Sequence, residues 1–69
     1  MPTSGTDLKV ERVRARVTLV SLAARMGLSR QAVWGMERSA VVTGERAQAY
    51  RAALVALRDD RETSEAAVA

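Results

Sequence analysis

Neither cysteine nor histidine occurs among the 69 residues of this chain. Without cysteine, no disulfide and no thiolate metal site can staple so small a domain. Without histidine, the commonest general base and the commonest transition-metal ligand are missing. An enzyme is therefore not expected, and neither is a cofactor, a metal or a small-molecule ligand. Aromatic residues are nearly absent as well, Trp34 and Tyr50 being the only two. No apolar run approaches the roughly 20 residues that span a bilayer. No basic n-region followed by an apolar h-region opens the sequence. The expectation is a cytoplasmic protein without membrane association. No stretch alternates at period two for long enough to make a strand, and nothing repeats. What remains is one small all-α domain with an economical core, since chains of this size bury only about 60% of their unfolded surface.

Charge is unevenly placed. The net +3 divides into +6 on residues 1–58 and −3 on residues 59–69, where Asp59, Asp60, Glu62 and Glu65 outweigh Arg61. A basic body with an acidic tail suits a domain that binds a polyanion and ends in a solvated segment. Ten of the eleven basic residues are arginine. GC-rich coding explains that usage as readily as phosphate binding does, so the placement of charge matters more here than the choice of arginine.

Along the chain, the polar lead at residues 1–6 is expected to be disordered. Asp7 is a good N-cap and predicts a first helix over residues 7–16, with Leu8, Val13 and Val17 turned inward. Thr18 caps a second helix that stops at Gly27, where a left-handed residue costs nothing. Ser29 caps a third over residues 30–38. Residues 39–42 make a short apolar connector, and Thr43 caps a long fourth helix reaching about residue 58. The domain proper is residues 7–58, a bundle of four to five helices, followed by a mobile acidic tail at residues 59–69.

The most telling stretch is TLVSLAARMGLSRQAVWGME, residues 18–37. Leu22, Ala23, Met26, Leu28, Val33 and Met36 form an apolar set around Gly27, and Ser29 stands directly before the second of two short helices. Such helices need small or apolar positions to pack and a glycine to turn. A helix-turn-helix of this kind lays its second helix in the major groove of DNA. On the fourth helix, Ala47, Tyr50, Leu54 and Leu57 make one inward stripe. Ala49, Ala52, Ala53 and Ala56 make a second apolar face with Val55 nearby, and Ala49, Ala52, Val55 and Ala56 are its candidate contacts. That face reads either as a dimer interface or as a neutral surface of good helix formers. The dimer is preferred, because helix-turn-helix proteins read half-sites as two-fold pairs.

From Leu8 to Leu57 the chain resembles the lambdoid repressor and Cro family of helix-turn-helix domains, often called the Xre family. LKVERVRARV looks like the family's first helix, with Arg12 six residues before the Thr18 cap. Leu22-Ala23 followed by Met26-Gly27-Leu28-Ser29 looks like its second helix and turn. Ser29-Arg30-Gln31-Ala32-Val33 looks like the start of its recognition helix, and Met36-Glu37-Arg38 like the end. The resemblance implies a sequence-specific double-stranded DNA-binding protein, a small transcriptional regulator and most closely a repressor of Cro or immunity type acting as a homodimer by operator occupancy.

It further implies a structural ion pair between Arg12 and Glu37. Physically this is sound, because the dipole at a helix C-terminus disfavours a carboxylate and a bidentate guanidinium offsets the penalty. Arg14, the competing partner, lies about 200° away around the first helix.

The family's base-reading positions fall on Arg30, Gln31, Trp34 and Gly35. Arginine pairs bidentately with guanine and glutamine with adenine, each good pair giving about 1–3 kcal/mol of discrimination. The bland alternative for Arg30 and Gln31 is a solvated face. Trp34 reads as a DNA contact, as a filler between the third and fourth helices, or as a contact to a protein partner. Phosphate contacts are expected from the helix starts at Thr18, Ser29, Thr43 and Gly44 and from Arg16, Arg38 and Arg46.

Two positions depart from the family pattern. Gly35 costs about 1 kcal/mol relative to alanine inside a helix, and Leu19 replaces a phosphate-binding glutamine. A different class of function is also open: a protein-interaction module such as an antitoxin, with the fourth helix, Val41-Val42 and the acidic tail engaging a partner. Helix-turn-helix domains of the sigma-factor or MerR kind are disfavoured, since neither accounts for Arg12 and Glu37.

Overall fold

Hydroxyl side chains decide where the helices begin. In the computed structural model, which describes residues 3–68 with side chains as far as Arg61, Ser4, Thr18 and Ser29 are each extended. Each accepts a hydrogen bond of 3.1 Å from the backbone N–H three residues on, at Asp7, Ser21 and Ala32. These caps open α1 (Gly5–Arg14), α2 (Leu19–Met26) and α3 (Arg30–Glu37). Thr43 does the same at 3.4 Å to Arg46 and opens α4 (Gly44–Val68). The architecture is all-α, with one isolated antiparallel bridge between Thr3 and Val42 among the described residues.

α1 and α2 end in the same turn. After α2, Gly27 is left-handed at φ 71°; its N–H reaches Ala24 O at 3.2 Å and the Leu28 N–H reaches Ala23 O at 2.9 Å. After α1, Arg16 is left-handed at φ 59°, with Arg16 N–H on Val13 O at 3.0 Å and Val17 N–H on Arg12 O at 3.2 Å. This double return satisfies the last carbonyls of each helix. Glycine adopts the conformation freely, whereas an arginine there costs about 1–2 kcal/mol.

The first helix therefore runs two residues earlier than the expected 7–16, capped by Ser4 and not by Asp7. Its inward set is Gly5, Leu8 and Arg12. Val13, expected inside, is 57% exposed, because five residues on from Leu8 is about 140° round the helix.

Leu8, Leu22, Val33 and Tyr50 are fully buried at the centre, with Ala23, Val42, Ala47, Ala53 and Leu54 around them. Val17, Leu19, Met26, Met36 and Leu57 close the rim. Leu28, expected in the apolar set, is 43% exposed, since it stands beyond the left-handed Gly27 and outside either helix.

The lead is not disordered from Thr3 onward. The Val42 N–H donates to Thr3 O at 2.7 Å and the Gly5 N–H to Ser39 O at 2.9 Å; Met1 and Pro2 lie outside the described residues. Gly5 is buried where α1 crosses the end of α3, so closely that an added Cβ would lie 2.5 Å from the Glu37 carbonyl. At the other end, the fourth helix passes its expected stop near residue 58 and continues to Val68, so the segment expected as a mobile tail is a helical extension. No glycine or proline follows Gly44 to stop it. No fifth helix follows among the described residues. No helix there is long and apolar enough to cross a membrane.

Candidate nucleic-acid interface

α3 is anchored from behind by Val33, which is fully buried, by the half-buried Met36, and by Glu37 at its last turn. The Glu37 carboxylate is 3% exposed, at the negative end of the helix dipole. Three donors hold it. Arg12 Nε lies 2.7 Å from Oε2 and Nη2 lies 3.3 Å from Oε1, while the Tyr50 hydroxyl donates to Oε2 from α4. The remaining Arg12 nitrogen, Nη1, donates to Val17 O at 3.0 Å, tying the same guanidinium to the α1–α2 turn. Arg14, the rival partner, is exposed and takes no part. No buried side-chain polar atom among the described residues lacks a partner.

The hydrogen bond to Glu37 holds the Arg12 guanidinium above its ordinary pKa. Burial first, and then the bond to Glu37, pushes the Tyr50 phenol well up. Tyr50 is the member that sequence reasoning places only on the apolar stripe. The signal for its second role is its hydroxyl, which needs a partner once the ring is buried.

Arg30, Gln31, Trp34 and Gly35 of α3, and Arg38 at its C-cap, are all exposed. Trp34 is 51% exposed, with the Arg38 guanidinium 4.6 Å from its ring centre. The core-filler reading of Trp34 is thereby overturned. α3 packs on α1 and α2 and not along α4, so there is no α3–α4 seam for the ring to fill. The two helices instead border an open groove of about 780 Å³, whose apolar wall includes Met26, Val41, Ala49, Ala52 and Ala56. Gly35 lies on its edge, and a Cβ added there would meet nothing within 4 Å. Nothing in the fold demands a glycine at that position.

The other sequence-selected residues divide. Thr18, Ser29 and Thr43 are exposed N-caps, and Gly44 opens α4. The Ser21, Ala32 and Arg46 N–H groups are taken by these caps, and the N–H groups of the two residues before each lack helical acceptors and are available to an anion. Thr18 also donates to Ser21 Oγ at 2.8 Å. Arg46 is exposed on the border of the apolar groove. Leu19 is half-buried against the core, a packing residue.

Arg16 is not brought to α3. It lies in a second groove, between the end of α1 and α4, to which α2 and α3 contribute no lining residue. Val55 lies there too, so the four residues expected at a dimer interface do not share one surface: Ala49, Ala52 and Ala56 face the apolar groove and Val55 the other. The physical reason is angular, since Val55 stands about 120° round α4 from Ala49.

Compared with protein-family models, with curated proteins and with solved structures, the chain finds no match in any of the three.

Proposed function

We propose that this protein binds double-stranded DNA sequence-specifically and acts as a small cytoplasmic transcriptional regulator, a repressor of the Cro or immunity type that works by occupying its operator. The resemblance to the Xre family is part of that proposal. One observation carries it. α3 is locked from behind by the Arg12–Glu37–Tyr50 cluster and turns a row of unburied donors and one aromatic ring outward. Arg30 and Gln31 stand at its N-terminal end, the part of a recognition helix that meets base edges. A guanidinium and a carboxamide there suit guanine and adenine. Trp34 offers a flat apolar surface to a thymine methyl or a sugar, and its pairing with Arg38 holds a positive charge beside it.

The protein would act as a homodimer covering two half-sites about one helical turn apart. Ala49, Ala52 and Ala56 in the apolar groove are the contact we assign to the second copy.

Oligonucleotides selected from a random pool test this directly. The selected duplex should bind the parent and lose its preference over random duplex when Arg30 and Gln31 are both changed to alanine, with thermal stability nearly intact. A large loss of stability with unchanged affinity would refute the assignment of this face.

The open apolar groove supports a second reading, an adaptor of the antitoxin kind that uses it for a protein partner. Light scattering with and without duplex separates the two. A monomer indifferent to DNA favours the adaptor.

A further inference from the structure

The groove between the end of α1 and α4 has a volume of about 740 Å³, and its charged lining is Arg14, Arg16, Arg51, Arg58, Arg61 and Glu11. Two of these arginines are engaged inside the fold. Arg51 binds Glu11 through contacts of 2.9–3.1 Å. Arg61 donates to Ala15 O at 3.0 Å and Arg16 O at 3.2 Å, capping the end of α1 from α4. The side chains of Arg14, Arg16 and Arg58 make no hydrogen bond or ion pair among the described residues, although they line the same groove. With Glu11 bound by Arg51, Arg14, Arg16 and Arg58 are three like charges in the lining with no counter-charge among the residues whose side chains are described.

Arg16 adds an independent observation. It occupies the left-handed region at φ 59°, while the equivalent turn after α2 places Gly27 there. Glycine would be the unstrained choice, yet the position carries a guanidinium side chain that lines the groove. Planar guanidinium forks bind phosphate oxygens bidentately. The apolar wall of Leu54 and Val55 lowers the local dielectric around them.

We propose that this groove is a second phosphate-binding site, separate from α3, which holds the sugar–phosphate backbone of nucleic acid irrespective of base sequence. It rests on the proposed function only for the source of the phosphate. Through it one molecule gains grip on DNA beyond the bases that α3 faces.

The test uses the whole chain carrying Arg14→Ala, Arg16→Gly and Arg58→Ala. Binding to a random-sequence duplex is followed by anisotropy across a salt series, and binding of inorganic tripolyphosphate by calorimetry. The slope of log K against log salt should fall by about 2.7, or about 0.9 for each phosphate that is no longer neutralised. Tripolyphosphate heat should disappear. Arg16→Gly alone should lose about one unit of slope with a melting temperature equal to or above the parent's, because the left-handed turn is relieved, so misfolding is excluded as the cause.

An unchanged slope with undiminished tripolyphosphate binding overturns the proposal. Tripolyphosphate bound through these arginines without any duplex binding overturns the nucleic-acid assignment, and with it the proposed function. The Arg30→Ala, Gln31→Ala protein fails differently: it loses preference for the selected duplex while keeping most of its slope on random duplex.

Discussion

Replacing Gly5 by alanine drives a methyl group into the backbone of α3. The added Cβ would lie 2.5 Å from the Glu37 carbonyl and closer still to the Met36 oxygen. Ordinary carbon contacts are near 3.5–4.0 Å, so the start of α1 has to retreat by about 1 Å. Both surfaces are backbone, and no rotamer change absorbs the conflict. Retreat stretches the Gly5 N–H bond to Ser39 O, now 2.9 Å. Such a bond contributes about 1 kcal/mol, and overpacking costs about 1–3 kcal/mol. Alanine returns at most about 1 kcal/mol through helix propensity. The net loss is roughly 2 kcal/mol. For a domain of this size that lowers the melting temperature by roughly 8–16 °C.

Gly35→Ala is the matched control, the same chemical change at a position where the new methyl meets nothing. It should stabilise the fold by roughly 0.5–1 kcal/mol. If the backbone of α3 lies against bases, it should weaken DNA binding at the same time. Circular dichroism melts of the three proteins decide the matter. A Gly5→Ala protein melting within about 2 °C of the parent, or above it, would refute the packing of α1 on α3.

Glu37→Gln leaves the part-buried Arg12 guanidinium without its counter-charge and should cost up to about 3–5 kcal/mol in denaturant unfolding; a loss under about 1 kcal/mol would mean that solvent already screens the pair. Tyr50→Phe removes one bond to a charged group and should cost about 1.5–3 kcal/mol. Its pH signature has a definite sign. The folded Tyr50 pKa is raised above the ordinary 10.0, so above that pH the unfolded chain releases a proton that the folded chain keeps. Stability should therefore hold up to about pH 10 and fall beyond it. Because Tyr50 is the only tyrosine, phenolate absorbance reports it alone; ionisation well ahead of alkaline unfolding would contradict its burial. Trp34→Ala should change stability by less than about 1 kcal/mol, the value of an exposed cation–π contact, yet reduce affinity for the selected duplex. Trp34 fluorescence that is unmoved by saturating DNA would remove the ring from the interface.

Local chemistry makes the middle of the molecule readable and leaves its edges dark. Thr18 and Ser29 fix the starts of α2 and α3 because cap and apolar period agree there. The stripe of Ala47, Tyr50, Leu54 and Leu57 is legible for the same reason. The pairing of Glu37 with Arg12 is what the family resemblance implies, and the dipole at a helix end gives it a physical reason.

The start of α1 is harder to place, because Asp7 has the chemistry of a cap without the position of one. Ser4 three residues ahead of Asp7 is the better signal, a serine with an acidic residue at the third following position. The end of α1 is hidden because no glycine marks it; Arg16 makes the turn in glycine's stead. The role of Gly5 depends on a crossing with α3 that no local pattern announces. The run of α4 past Arg58 has a plain sequence sign, the lack of any breaker. The charge change to −3 in that segment argues for solvent exposure, which a helix satisfies as well as a coil does.

Thr3, Gly5, Ser39 and Val42 also arrange events in time. α2 and α3 close on each other across a three-residue turn. The bonds from Val42 to Thr3 and from Gly5 to Ser39 instead join opposite ends of the first three helices. Closing so large a loop carries more entropy and comes after short-range contacts have formed. α3 is thus assembled early and latched late, and its last turn is fastened by the amino end of the chain. Opening that latch would loosen α3 at its end while its packing on α2 stays closed, a partial unfolding that amide exchange at Gly5 and Val42 would register before any other part of the core.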